Sequence, residues 1–327
     1  MERLTDERHL AHAAVLADAW TPYPNPRVGC VIVDVGGAVV GEGAHQQAGT
    51  PHAEVHALAM AGARARGGTA YVTLEPCAHT GRTGPCAKAL IDAGIARVVM
   101  AEPDPNPVAA GGAAVLRAAG VQVDLLPSAD AARVNESWLH AMRKQRPFVT
   151  LKLATSLDGR VAAAVGVETA ISNATVRRHV HALRARVDGI LVGTATAMVD
   201  DPALTVRDAP TTRQPARFVM GLRDLPDVLQ MLQAPEPATQ LRTRQPGEAL
   251  QALQAREIRH VLVEGGPTVA RAFVDAGLVD ELIWITAPIV LGDGPLAMGT
   301  GLLEPARHWR RVETLDLDGD LWSRLRP

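Results

Sequence analysis

The residues of this chain best able to do chemistry together are His52, Glu54, Cys77 and Cys86, with Pro76 and Pro85 directly before the two cysteines. One imidazole and two thiolates would give a zinc ion three protein ligands. The fourth tetrahedral position would stay open for water, which is the catalytic pattern and not the structural one. Glu54, two places past the ligand histidine, is then placed to carry protons and not to bind metal. Both cysteines are read as preceding helices, Pro85 as a first-turn proline, so that positive helix ends would favour thiolate. Taken singly, a cysteine beside a strand is usually core packing and a histidine near a helix start usually a cap; the joint arrangement points to a metal. Cys30, in an apolar run with no partner motif, keeps the core reading.

The histidine, glutamate and Pro-Cys pattern matches that of zinc deaminases, in which water activated by the metal attacks a ring carbon bearing an amino group. Eight residues separate Cys77 from Cys86, where nucleic-acid deaminases have about two. The longer loop places an imidazole, His79, and a guanidinium, Arg82, beside the metal, a pairing suited to an anionic small molecule. A phosphorylated heterocycle fits better than a polynucleotide.

Helices and strands must alternate to hold these groups. Short β-branched runs bounded by turn residues predict strands at 28–33, 69–74, 97–101 and 121–125. Helical spacing predicts helices at 10–20, 52–65, 87–93 and 108–119, with Gly94 and Gly120 as stops. This alternation implies a mostly parallel sheet covered on both faces. A basic, polar stretch at 143–147 marks a domain boundary, giving domains at 1–145 and 146–327. The second half has predicted strands at 148–154, 189–192, 216–220, 260–263 and 282–285, helices at 174–186, 248–256 and 268–276, and a Pro- and Gln-rich loop with partial helix at 224–247.

Composition bounds the partners. The 33 Lys and Arg against 35 Asp and Glu leave a formal charge of -2, and aromatic residues make up 3% of the chain. Nucleic-acid binding needs clustered cations or stacking platforms, so no nucleic-acid partner is expected. The N-terminus lacks an apolar signal segment, and the run 282–291 is too short to span a bilayer, so neither a membrane partner nor export is expected. Three cysteines cannot form a disulfide framework, which points to the cytoplasm.

The motifs NPRVGCVIV (25–33), PHAEVHAL (51–58), TLEPCAHTGRTGPC (73–86) and DPNPVAAG (104–111) resemble the deaminase half of the bifunctional riboflavin-biosynthesis enzymes, in which a pyrimidine deaminase is joined to a pyrimidine reductase. The resemblance implies a cytidine-deaminase-like three-layer α/β/α domain with one Zn2+. It also implies a diaminopyrimidinone substrate carrying a ribosylamino phosphate, with Asn25, His45, His79 and Arg82 as contacts. The motifs KLATSLDGR (152–160), ILVGTATAMVDDPALTVR (190–207), VLVEGGPTVARAF (261–273) and APIVLGDG (287–294) resemble the reductase half. That implies a dihydrofolate-reductase-like α/β fold with NADPH as hydride donor, cofactor contacts at Ala154, Ala170, Thr196, Asp200, Gly265, Gly266, Pro267 and Thr268, and assembly into a dimer or tetramer. Substrate contacts are implied at Lys152, Glu168, Arg184, Leu204, Arg207 and Glu264, with Arg184 and Arg207 clamping the phosphate.

The chain departs from the reductase pattern at three places. Glu168 and Ala170 stand where that pattern carries Ser and Trp, followed by Ile171 and Ser172 for Ile-Thr. Gly221 stands where the strand commonly ends in Asp, and the stretch 223–259 is short. These departures keep open a monofunctional deaminase whose C-terminal domain serves assembly. Two further rivals are a nucleic-acid base deaminase and a purely structural zinc module.

Overall fold

The computed structural model describes residues 2–79, 84–301 and 306–327. The chain divides into two compact units, Met1–Lys144 and Gln145–Pro327.

The first unit runs α1 (Glu2–Asp18), β1 (Gly29–Val33), β2 (Val39–Ala44), α2 (Ala53–Ala61), β3 (Thr69–Val72), α3 (Cys86–Asp92), β4 (Arg97–Met100), α4 (Gly112–Ala118), β5 (Gln122–Leu125), α5 (Ala129–Val134) and α6 (Glu136–Lys144). Its five strands lie in the order β2-β1-β3-β4-β5. The period of two sends alternate β1 side chains to opposite faces. Cys30 and Ile32 join Ala57, Leu90 and Leu116 in one core. Val31 and Val33 join Leu10, Ala13 and Ala131 in another. Helices therefore cover both faces, giving three layers.

The expected mostly parallel sheet is corrected here. β3, β4 and β5 are parallel, but β1 pairs antiparallel with both β2 and β3. The Asp34 side chain accepts from the amides of Gly36 and Ala38, closing a hairpin between β1 and β2. The first helix begins at Glu2 and not at residue 10, and the helix expected from 52 gives way to a 3-10 turn at Gly62–Ala65. The helix expected from 108 starts at Gly112.

The second unit runs β6 (Phe148–Thr155), α7 (Ala174–Arg184), β7 (Gly189–Gly193), α8 (Thr194–Asp200), β8 (Ala216–Met220), α9 (Gln230–Gln233), β9 (Thr239–Leu241), α10 (Pro246–Gln254), β10 (His260–Val263), α11 (Pro267–Asp275), β11 (Glu281–Thr286), β12 (Arg310–Leu317) and β13 (Asp320–Arg326). The sheet order is β12-β13-β11-β6-β10-β7-β8-β9. The six strands from β11 to β9 are parallel, and the C-terminal hairpin adds an antiparallel edge. The segment expected to be mostly loop at 224–247 instead supplies α9, the edge strand β9 and the start of α10. Its shortness does not prevent the sheet from being completed. No helix among the described residues is long and apolar enough to cross a membrane.

Candidate active sites

In the first unit His52 is the N-cap of α2 and Glu54 lies in its first turn. Cys86 opens α3. Cys77 does not precede a helix as expected: it sits in the loop after β3, and Pro85 is the N-cap of α3 and not its first-turn residue. Cys77 instead meets the helix end from the side, the first amide of α3, Cys86 N–H, donating to Cys77 Sγ at 3.3 Å. His52 Nδ1 lies 3.7 Å from Cys77 Sγ and 3.3 Å from Cys86 Sγ. The three ligand atoms fall within 4.8 Å of one another, the sole such cluster among the described residues.

One imidazole and two sulfurs at this spacing fit a zinc ion. Of the two sulfurs, Cys77 is driven towards thiolate, first by its hydrogen bond with Cys86. Burial pushes the Glu54 carboxyl above the ordinary range, and its Oε2 is buried without a hydrogen-bond partner. A buried polar atom seldom stays unpaired, so this oxygen marks a place for water or substrate.

Around this centre, Asn25 Nδ2 and His45 Nε2 are 3.0 Å apart. The His45 ring meets the His52 ring edge-on at 4.9 Å between centroids. Burial pushes the His45 imidazole down to about 4, keeping it neutral. His79 Nδ1 is also buried and unpaired. Arg82 lies outside the described residues. Cys30 is buried in the core as expected, and burial raises its thiol.

Glu75, next to the Pro-Cys pair, escapes sequence reasoning. Its carboxylate accepts from the backbone amides of Asp104, Gly111 and Ala113, tying the cysteine loop to the start of α4. A Cβ on Gly112 would lie 1.7 Å from the Pro76 carbonyl oxygen, so only glycine lets the two segments meet. Asp104 was also missed. Burial pushes its carboxyl up to about 6, with Glu75 adding to the rise. The Glu-Pro-Cys and Asp-Pro-Asn-Pro runs were the available signals.

In the second unit Lys152, Arg184 and Glu264 converge. Arg184 Nε and Nη2 donate to Glu264 at 2.6 and 2.9 Å, and Nη1 donates to the Thr205 carbonyl at 3.2 Å. Burial alone would raise the Glu264 carboxyl, but Arg184 and Lys152 outweigh it and hold it below the ordinary range. Burial lowers the Lys152 ammonium. Arg207 is exposed, its Nη1 on Thr205 Oγ1 at 3.2 Å. Leu204 is buried in the core beside Ile190 and Val219, and Ala154 packs with Val176 and Ile285. Glu168, Ala170 and Asp200 are exposed. Partial burial of its carboxyl, then the nearby Glu168 carboxylate, raises Asp200.

A groove of about 300 Å3 opens where β7 and β8 end, lined by Thr194, Thr196, Gly221, Gly266, Pro267 and Thr268 among others. The Gly266 N–H donates to Thr196 Oγ1 at 3.2 Å, and Gly265–Gly266 sits between β10 and α11 as expected. A Cβ on Gly265 would come within 2.6 Å of Val269. This bare turn at a helix start can admit a pyrophosphate closely, which fits a dinucleotide.

These features fit a two-unit enzyme, with a candidate zinc deaminase site in one unit and a candidate nucleotide groove of a reductase in the other. Residues 4–102 match the cytidine and deoxycytidylate deaminase zinc-binding region, and residues 147–322 match the RibD C-terminal domain. The riboflavin biosynthesis protein RibD of Mycobacterium tuberculosis is 46% identical over 299 residues, covering 89% of this chain and 87% of that protein. The structure of Acinetobacter baumannii RibD superposes with a TM-score of 0.93 at 38% identity over 100% of both chains. A Thermotoga maritima diaminohydroxyphosphoribosylaminopyrimidine deaminase/5-amino-6-(5-phosphoribosylamino)uracil reductase gives 0.89 at 29% identity, again over 100% of both chains. The chain belongs to the RibD family, the bifunctional deaminases and reductases of riboflavin biosynthesis. Both domains are present, so the comparisons support both activities and not a deaminase alone.

Proposed function

We propose that the chain performs two consecutive reactions on one phosphorylated pyrimidine. The first unit deaminates a diaminopyrimidinone carrying a ribosylamino phosphate, and the second reduces its ribosyl group to a ribityl chain with NADPH. The observation that carries the reading is the His52, Cys77 and Cys86 cluster with the buried, unpaired Glu54 Oε2 beside it. Zinc held by those three residues would supply a nucleophilic water at neutral pH. Glu54 takes one proton from the attacking water and gives it to the ring nitrogen; it then takes the second proton, from the hydroxyl now on the ring carbon, and gives it to the departing amine. Asn25 and the neutral His45 present a hydrogen-bonding edge to the ring, and His79 adds a further polar contact; Arg82 belongs to the same set by its place in the motif.

In the second unit Lys152 and Glu264 face the sugar. Each of the three Arg184 nitrogens already donates to Glu264 or Thr205, so it orients those groups. Arg207, with its charge exposed, is the cation for the substrate phosphate. Nicotinamide supplies the hydride when bound. Thr196 and the Gly266–Thr268 turn, which line the groove, would hold it, and by their places in the family motifs Gly265, Asp200, Ala154 and Ala170 would join them, with Leu204 and Glu168 assigned to the substrate. Three free, buried cysteines support a cytoplasmic setting, and sedimentation tests the dimer or tetramer that the family suggests.

The deciding experiment feeds purified protein the diaminopyrimidine phosphate with and without NADPH and resolves the products. Ammonia and a uracil-type product are expected without NADPH, and a ribityl product only with it. A uracil-type product that NADPH never converts further would remove the second half of the reading.

A further inference from the structure

The nucleotide groove has a second wall that no motif above explains. β8 and β9 run parallel with Met220 opposite Leu241, and neighbouring strands lie about 4.8 Å apart. Three residues past each of these partners stands an arginine, Arg223 on one strand exit and Arg244 on the other, and both line the groove. The exits are pinned side by side. The Gly221 N–H donates to the Leu241 carbonyl at 3.1 Å, and Gln240 Nε2 donates to the carbonyls of Gly221 and Arg223 at 2.9 and 2.7 Å.

Charge at this edge is unevenly spent. Arg242 pairs with Asp224 at 2.6 Å, and Glu248 accepts from the Thr243 hydroxyl. Among the described residues Arg223 and Arg244 have no ion pair, although both face the same groove. Gly221, between them and Thr194, brings no carboxylate. Its φ of +144° disfavours a side chain, and a Cβ there would meet Thr194 Cγ2 at 2.7 Å. An aspartate at this position would repel a phosphate placed between the arginines.

We infer that Arg223 and Arg244 form a clamp for the 2′-phosphate of the adenosine end of the cofactor, and so set the preference for NADP(H) over NAD(H). The inference rests on the placing of a dinucleotide in this groove. With the pyrophosphate at the Gly265–Thr268 turn, the arginines hold the cationic end of the same cavity. Guanidinium groups match a phosphate by paired N–H donors as well as by charge.

Calorimetry with adenosine 2′,5′-bisphosphate and adenosine 5′-monophosphate tests this without turnover. The wild-type protein should bind the bisphosphate about tenfold to a hundredfold more tightly, as expected for one or two charge-assisted hydrogen bonds. Arg223→Ala with Arg244→Ala should bring the ratio close to one while binding of the monophosphate stays. Lysine at both positions should restore part of the preference, because charge returns without the fork. Both side chains are exposed, so unchanged circular dichroism and melting are expected. Equal binding of the two nucleotides by wild type, or full preference in the double alanine variant, overturns the clamp and leaves the groove reading intact. Absence of binding by either nucleotide, by NADPH and by NADH removes both.

Discussion

At the scale of single residues, Glu54 is the sharpest test of the proposed deaminase site, because it is buried beside the His52, Cys77 and Cys86 cluster with one oxygen unpaired. Glu54→Gln keeps the volume and removes the proton carrier. Ammonia release should fall by about a hundredfold to ten-thousandfold, while the zinc content measured by mass spectrometry stays at one per chain. Loss of the metal together with the activity would instead make Glu54 a structural residue. Glu168 poses the converse question in the second unit. It is an exposed carboxylate close enough to Asp200 to raise it, and it stands at the edge where an anionic substrate is proposed to enter. Glu168→Ser should lower the KM of the reduction by about twofold to fivefold, as expected for an exposed like charge, with kcat little changed. A KM indifferent to the substitution and to ionic strength would show that the carboxylate turns away from the substrate.

Helices and strands hold these residues, and one buried network ties the first helix to the sheet. Asp6 on α1 is 5% exposed. It accepts from Tyr71 on β3 at 2.7 Å and from Arg97 on β4 at 3.1 and 2.9 Å, and Arg97 also reaches Asp124 on β5. Burial alone would raise the Asp6 carboxyl, but Arg97 and Tyr71 outweigh it and hold it below the ordinary aspartate range. The native pKa lies below the unfolded one, so the stability it contributes is present above about pH 4 and is lost as pH falls through the native value. Asp6→Asn should therefore cost about 2–3 kcal/mol near neutrality. Its deficit in denaturant midpoint should shrink as the pH drops below about 4. A deficit constant across that range would assign the loss to packing.

Legibility at this scale followed burial. β1, β3, β4, β7 and β10 each contain a run of three or more buried apolar residues and could be read directly, as could the Gly-Gly turn before α11. β2 carries two glycines and a glutamate. β12 is exposed along most of its length. Neither shows the apolar signal, and with β2 went the antiparallel half of the first sheet. The candidate metal ligands sit in short local motifs, so their clustering was legible. The Arg184 to Glu264 pair spans 80 residues, and nothing in either local sequence shows that each is the other's partner.

For the whole molecule, the two compact units have separate chemical requirements. The candidate metal ligands His52, Cys77 and Cys86 all lie in the first unit, and the candidate nucleotide groove is lined by residues of the second. The near-neutral net charge of -2 agrees with binding an anion through a few placed cations and not a basic surface. Removing the metal should accordingly divide the two activities. Bound zinc also contributes to the stability of the site that holds it, so chelation is best done briefly and reversed. After treatment with a strong chelator, ammonia release from the diaminopyrimidine phosphate should disappear and return on adding Zn2+. Oxidation of NADPH by the same sample, supplied with the already deaminated phosphate, should continue at close to its starting rate. Parallel loss of both rates, with restoration of both by zinc, would mean that the reductase groove depends on the metal-bound state of the first unit, and the assignment of one requirement to each unit would fail.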